Sequence, residues 1–308
     1  MIATGLSTVS AGNNYWGNKM TTSTDQASDS IATGVNTAAE GQLEGGIFYR
    51  HWRAPAPVRA VILLAHGLGE HSGRYQTFAE YFSARGISVV APDHIGHGVS
   101  PGDRAHVSTF DDYLGPLGEL RDEIERWYPG LPCFLVGHSM GGLIAVCFLL
   151  DHQHRFTGVA LSGAAFAVPQ PPSAVALLLN RFISWCRPKM GLLKLDATEI
   201  SRDPKVVQDY IDDPLVHDGK VSARLVAELF KSMQRVKSEA GKITLPILLM
   251  HGSEDVMAAS EGSVAVHGAV SSADKTLKIY SGLYHEIFNE PEKLEVMADL
   301  ASWLDARM

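Results

Sequence analysis

The 308-residue chain carries 26 basic and 34 acidic side chains, a formal net charge of −8 at pH 7. That balance, without any Lys/Arg-rich block, excludes a nucleic-acid binder, which needs a basic face to displace phosphate counterions. The longest unbroken apolar run, Leu143–Leu150, falls far short of the roughly 20 residues of a spanning helix, so no transmembrane segment is expected.

Residues 1–44 are rich in Ser, Thr, Gly, Asn and Ala and show no apolar period. Such a stretch buries too little surface to offset its ordering entropy, and it is expected to be a disordered extension. Met20 offers a second candidate start. No apolar stretch follows Lys19, the first basic residue, so no secretory leader is expected. The three cysteines, Cys133, Cys147 and Cys186, form no C-x-x-C pair and suit a reduced compartment, which makes cytoplasm the expected location.

From Ile47 the pattern changes. Apolar runs of strand length end in Gly- or Asp-containing turns at Ala60–Ala65, Ile87–Ala91, Cys133–Val136, Gly158–Leu161, Ile247–Met250 and Leu277–Tyr280. Helical patterns lie between them at Tyr75–Arg85, Tyr113–Tyr128, Gly142–Asp151 and Lys293–Ala306. Continuous apolar strands alternating with helices predict an α/β fold whose mostly parallel, doubly wound sheet is covered on both faces. The stretch between Leu161 and Ile247 shows no convincing strand and opens with Val168-Pro169-Gln170-Pro171-Pro172. It predicts an inserted helical cap. The expected organisation is an extension (1–44), a first core part (45–168), a cap (169–237) and a second core part (238–308).

Gly137-His138-Ser139-Met140-Gly141 is a G-x-S-x-G placed between a strand and a helix. In that context a sharp turn projects the Ser139 hydroxyl at the carboxyl end of the sheet, above a helix N-terminus that favours negative charge. A serine needs a base, and on such a sheet the partners follow in the order Ser, acid, His. Two histidines lie beyond a plausible acid. His267 sits in a helix-like stretch, whereas His285 follows a strand and the turn Ser281-Gly282-Leu283-Tyr284, so His285 is the expected base. The loop His251-Gly252-Ser253-Glu254-Asp255 supplies the acid. Asp255 is the first choice for orienting an imidazole N–H, with Glu254 as the alternative. The developing oxyanion needs two backbone donors, assigned to Met140 and to Leu68 in His66-Gly67-Leu68-Gly69. His66 is expected to brace that loop, and Asp93 to anchor a turn towards Ser100. His66, His71, His94 and His97 lie near one another in sequence without metal-ligand spacing, so neither metal nor cofactor is expected.

Several segments together carry a resemblance. They are His66-Gly67-Leu68-Gly69-Glu70-His71-Ser72-Gly73-Arg74-Tyr75, Asp93-His94-Ile95-Gly96-His97-Gly98 and Gly137-His138-Ser139-Met140-Gly141-Gly142. Ser201-Arg202-Asp203-Pro204, Asp213-Pro214-Leu215-Val216 and Gly282-Leu283-Tyr284-His285-Glu286 follow. From about Gly45 onward the chain resembles the monoacylglycerol lipases of the α/β-hydrolase superfamily, particularly the bacterial ones. The resemblance implies a serine hydrolase that releases a fatty acid from a monoacylglycerol, with Ser139, Asp255 and His285 as triad and Leu68 and Met140 as oxyanion donors. It places Glu70 and Arg74 near the glycerol exit; their spacing also suits an ordinary surface ion pair. Some animal members carry a second histidine three residues after the catalytic one, where this chain has Phe288.

Within the cap, Val175, Leu178, Leu179, Phe182 and Ile183 recur at helical spacing, and Trp185 adds an aromatic. Such a stripe is either buried against the core or functional; in the functional reading Leu178, Leu179 and Phe182 line an acyl channel and the surface touches a membrane or micelle transiently. An esterase or lysophospholipase would share every triad residue. Haloalkane dehalogenases and epoxide hydrolases would need Asp in place of Ser139, and a peptidase a specific amine-recognition site. A non-catalytic binding protein on this scaffold is the remote alternative.

Overall fold

The computed structural model describes residue 1 and residues 38–308. Most of the expected N-terminal extension therefore lies outside the described residues. In chain order the elements are β1 (Ala39–Gln42), β2 (Phe48–Trp52), β3 (Ala60–Ala65), α1 (Gln76–Ser83), β4 (Ile87–Pro92), α2 (Asp111–Trp127), β5 (Cys133–His138) and α3 (Met140–His152). There follow β6 (Gly158–Ser162), α4 (Ala174–Cys186), β7 (Gly191–Leu193), α5 (Pro204–Asp212), β8 (Val221–Ser222) and α6 (Ala223–Glu239). The chain closes with β9 (Ile247–Gly252), α7 (Ser260–Ala269), β10 (Lys275–Tyr280) and α8 (Lys293–Asp305).

Among the described residues, eight strands form one sheet in the order β1-β2-β4-β3-β5-β6-β9-β10. The β1–β2 and β2–β4 pairs are antiparallel and the others parallel. The inner parallel strands β3, β4, β5, β6 and β9 are buried along their whole length because both faces are covered, whereas β10 at the edge carries Lys275 and Lys278 and is partly exposed. Along β3, Val61, Leu63 and Ala65 join the cluster under α2, α3 and α6, while Ala60, Ile62 and Leu64 join the cluster under α1 and α8. This is the two-residue alternation of a pleated strand. The chain proceeds from β3 to β4 on one side and then crosses to β5 on the other. The carboxyl ends of β3 and β5 therefore flank the reversal of strand order, where open α/β sheets form their ligand crevice.

Three expectations are corrected. β1 lies inside the stretch expected to be disordered, yet it pairs in register with β2 from Ala39↔His51 to Gln42↔Phe48. Its side chains are mostly exposed, so backbone pairing orders it and no apolar pattern announces it. Second, the cap boundary of 237 takes in α6, which packs on the core helix α3 as well as on α4. Leu225, Leu229, Met233 and Val236 on α6 are buried in the main cluster. Third, the interval expected to lack strands contains the short antiparallel pair β7–β8. Among the described residues, no helix is long and apolar enough to cross a membrane.

Candidate active site

The turn from β5 into α3 puts Ser139 at φ 53°, ψ −119°, a region a non-glycine residue occupies only when its surroundings enforce it. Ser139 N–H donates to Ser162 O at 2.9 Å and Ala165 N–H to Ser139 O at 3.0 Å, so the end of β6 and the loop after it clamp the turn on both sides. The flanking glycines are needed for close approach. A Cβ at Gly141 would lie 2.0 Å from Ala65 O, and one at Gly137 2.6 Å from Gly141 O.

His285 and Asp255 come from loops at the carboxyl ends of β10 and β9. His285 Nδ1 lies 2.7 Å from Asp255 Oδ2, and both residues are buried. Met257 N–H and Ala258 N–H each donate to Asp255 Oδ1 at 2.9 Å. Burial alone would push the Asp255 carboxyl up, but the His285 charge, hydrogen bonds from His251 and His285 and the Ala258 amide hold it well below the carboxylate range. Burial alone would lower His285; the Asp255 charge and hydrogen bond outweigh it and raise His285 above its ordinary 6.5. Glu254, the alternative acid, is exposed and accepts from Ser253 Oγ instead. His267 lies on α7, half-buried.

Ser139 and His285 line one small cavity of about 20 Å³, together with Gly67, Leu68, Glu70, His138 and Glu286 on the core side. Leu195, Ile200, Tyr210 and Met257 complete its walls. That volume is about one water's worth. A second cavity of about 740 Å³ lies in the cap, and Leu195 and Tyr210 line both. Those two side chains form the partition between the two spaces.

The Leu68 loop is held from three directions. Gly67 N–H donates to Glu70 Oε1 at 2.6 Å. His66 Nδ1 lies 2.8 Å from Gly67 O, and His94 N–H donates to His66 Nε2 at 2.9 Å. These partners place the His66 proton on Nδ1. On the cap side, His217 N–H donates to Gly69 O at 2.8 Å, and His71 Nε2 lies 2.8 Å from Asp213 Oδ2. Met140 opens α3, so its N–H is among the amides that find no acceptor within their own helix. Asp93 ties its turn: Val99 N–H donates to Oδ2 at 2.8 Å and Ser100 Oγ to the Asp93 carbonyl at 2.6 Å.

Glu70 and Arg74 are buried, so they are not a surface ion pair. Arg74 Nη1 donates to Glu70 Oε2 at 2.8 Å. Its fork also grips both oxygens of Glu286 at 2.6 and 2.8 Å, a bidentate geometry. Burial would push Glu286 up, but Arg74 holds it below the carboxylate range. Glu70 reaches the cavity, whereas Arg74 stands behind it with its guanidinium 4.6 Å from the Tyr210 ring. The structure does not bring Leu178, Leu179 and Phe182 to Ser139. They are 67%, 57% and 59% exposed on the outer face of α4.

Sequence reasoning missed Glu286, Tyr210, Leu195 and Met257. Glu286 stood inside a quoted motif, beside His285. The other three come from the cap and the acid loop and reach the cavity only by tertiary packing. Burial lowers His138, whose ring lies 4.8 Å from that of His285, to about 4, keeping a second positive charge out of the site. Among the described residues, no group of three or more His, Cys, Asp or Glu is placed to hold a metal ion.

The family model for serine aminopeptidase, S33, matches residues 56–292. A monoacylglycerol lipase of Mycolicibacterium smegmatis is 37% identical over 258 residues, covering 84% of this chain and 92% of the relative. Human monoglyceride lipase is 35% identical over 272 residues, covering 87% and 89%. Among solved structures, the monoacylglycerol lipase of Paleococcus ferrophilus superposes with a TM-score of 0.77 at 34% identity, covering 85% of this chain and 99% of that one.

Proposed function

The chain belongs to the serine aminopeptidase S33 family of α/β-hydrolases, alongside the monoglyceride lipases, and from that membership we propose that it cleaves monoacylglycerol to fatty acid and glycerol. The observation that carries the mechanism is the strained Ser139 facing the same cavity as a His285 bonded to Asp255.

His285 Nε2 takes the Ser139 proton as Oγ attacks the ester carbonyl, and Asp255 stabilises the imidazolium that forms. The carbonyl oxygen becomes an oxyanion facing the Leu68 and Met140 amides, whose positions the turn and the braced loop fix in advance. Collapse of the tetrahedral intermediate breaks the C–O bond, and His285 returns its proton to the departing glycerol oxygen. Water, deprotonated by the same imidazole, then releases the fatty acid from Ser139. Glu70 and Glu286 line the alcohol side, a carboxylate environment that accepts a neutral polyol and disfavours an anionic head group. The exposed face of α4, with Val175, Leu178, Leu179, Phe182 and Trp185, rests transiently on the lipid surface from which the substrate is drawn. The enzyme is accordingly a peripheral visitor to that surface.

The test is fatty-acid release from 1-monoacylglycerols of several chain lengths, with Ser139→Ala as control. Di- and triacylglycerols, lysophosphatidylcholine and a short p-nitrophenyl ester run beside them. Ser139-dependent preference for monoacylglycerols is expected. Turnover of the short ester alone would make this a general esterase, and preference for lysophosphatidylcholine a lysophospholipase.

A further inference from the structure

Behind the acid of the triad lies a second histidine to which the mechanism gives no part. His251 occupies the carboxyl end of β9, four residues before Asp255, and is fully buried. Its Nε2 stands 3.0 Å from Asp255 Oδ2 and 3.0 Å from Ala258 O. On the opposite edge of the ring, Nδ1 lies 2.8 Å from Ser263 Oγ on α7.

These partners fix the tautomer. A carboxylate and a carbonyl only accept, so Nε2 carries the proton, shared between Asp255 and Ala258 O. Nδ1 shares a hydrogen bond with the Ser263 hydroxyl. Asp255 is thereby held at every corner: Oδ1 by the Met257 and Ala258 amides, and Oδ2 between the rings of His251 and His285. With His251 removed, Oδ2 keeps His285 as its single side-chain donor, and the carboxylate is free to pivot about Oδ1.

We propose that His251 is a positioning residue for the reaction: its Nε2–H fixes the Asp255 carboxylate in the orientation that aligns His285 with Ser139. The inference rests on Asp255 being the acid of the triad.

The kinetic signature is set by the groups that face the two partners. His285 faces Asp255, Glu286, Glu70 and the His138 ring; Asp255 faces His251 and His285. Loss of the His251 donor leaves Asp255 more basic, which strengthens its hold on a protonated His285. The acidic limb of kcat/KM then moves to higher pH while kcat falls through misalignment.

The experiment compares His251→Asn, His251→Gln, Ser263→Ala and Asp255→Ala on a short soluble ester, each with its melting temperature. Glutamine places an amide N–H near the Nε2 position, and asparagine places one near Nδ1. His251→Asn is expected to lower kcat by up to about 100-fold, the scale of a small misplacement of a catalytic group. KM should stay within about twofold, and the acidic limb should move up. His251→Gln is expected to restore most of kcat and the original limb, and Ser263→Ala to lose a few-fold in kcat. Equal kcat in the Asn, Gln and parent proteins would overturn the proposal. So would equal losses in the Asn and Gln variants with an unmoved limb, the pattern of a merely structural residue. An active Asp255→Ala enzyme would instead overturn the triad reading on which the proposal stands. Should His251→Asn fail to fold, the Gln and Ser263→Ala profiles decide the matter.

Discussion

Helices α3 and α4 are each 13 residues long and both are rich in Leu, Ile, Val and Phe. In α3 the apolar side chains from Met140 to Leu150 are all buried; in α4 the buried residue is the polar Ser184. The first helix spends its hydrophobicity on the fold. It runs behind Ser139 between the sheet and the neighbouring helices α2 and α6, and each buried Leu, Ile, Val or Phe contributes about 1.5–3 kcal/mol. The second leaves Val175, Leu178, Leu179, Phe182 and Trp185 facing outward. The same composition thus backs the Ser139 turn in one helix and leaves the cap with an apolar outer face in the other. Hydrophobicity alone does not separate the two uses; what lies opposite each face does.

The contrast breaks most visibly on the core side. Ile144→Asp places an unpaired carboxylate among fully buried neighbours and is expected to cost more than about 4 kcal/mol. Circular dichroism and thermal melts should show little or no folded protein. The matching change on the cap, Leu178→Asp with Leu179→Asp, should leave the melting temperature within about 2 °C, because surface substitutions are nearly neutral. It should lower partitioning onto phospholipid vesicles on the order of 100-fold, given about 1.5 kcal/mol or more for each leucine no longer buried, while sparing hydrolysis of a short ester. Undiminished vesicle binding would erase the distinction between the helices.

A smaller effect sharpens the comparison through pH. As the proposed base, His285 must be neutral to act, and its pKa is raised above 6.5. For a short ester, kcat/KM should therefore rise with pH through a midpoint above the ordinary imidazole value, identically in the parent and in the cap double variant. The sign reverses for stability. The protonated His285–Asp255 pair stabilises the fold fully below the unfolded-state value, and this contribution is lost as pH rises through the folded-state pKa. Denaturant melts of Ser139→Ala across that window would read it out.

The parallel strands were legible to within one or two residues: burial on both faces writes an unbroken apolar run in the inner ones, and the edge strand β10 keeps an apolar end, Ile279-Tyr280, before its turn. The turns after β3, β5, β9 and β10 were legible through their Gly and Asp residues, which put the candidate chemistry at one edge of the sheet. What escaped was whatever depends on a partner distant in sequence. Glu254 and Asp255 are adjacent in the chain, and only the folded loop turns one inward. Glu70 and Arg74 have the spacing of a solvent-facing helical pair, and Glu286, more than 200 positions away, makes them a buried network. The stripe on α6 resembles that on α4, but α6 packs on α3 as well as on the cap. His251 reads as the first residue of the loop that supplies the acid, and nothing in the sequence announces that its ring turns back onto Asp255.

Strand β1 carries a consequence of another kind. It is four residues long, mostly exposed, and bears Glu40, which lies 3.7 Å from Arg50 on its neighbour. It supplies little buried surface, yet it occupies the hydrogen-bonding edge of β2, a strand with Phe48, His51 and Trp52 buried. A sheet edge left bare is a template on which other chains assemble. A short, acidic outer strand closes that template with residues ill suited to recruiting a further copy. Deleting the β1 residues Ala39–Gln42 while keeping the buried Leu43 and Ile47 would cost little packing energy and would make the chain prone to precipitate, so β1 serves solubility more than stability.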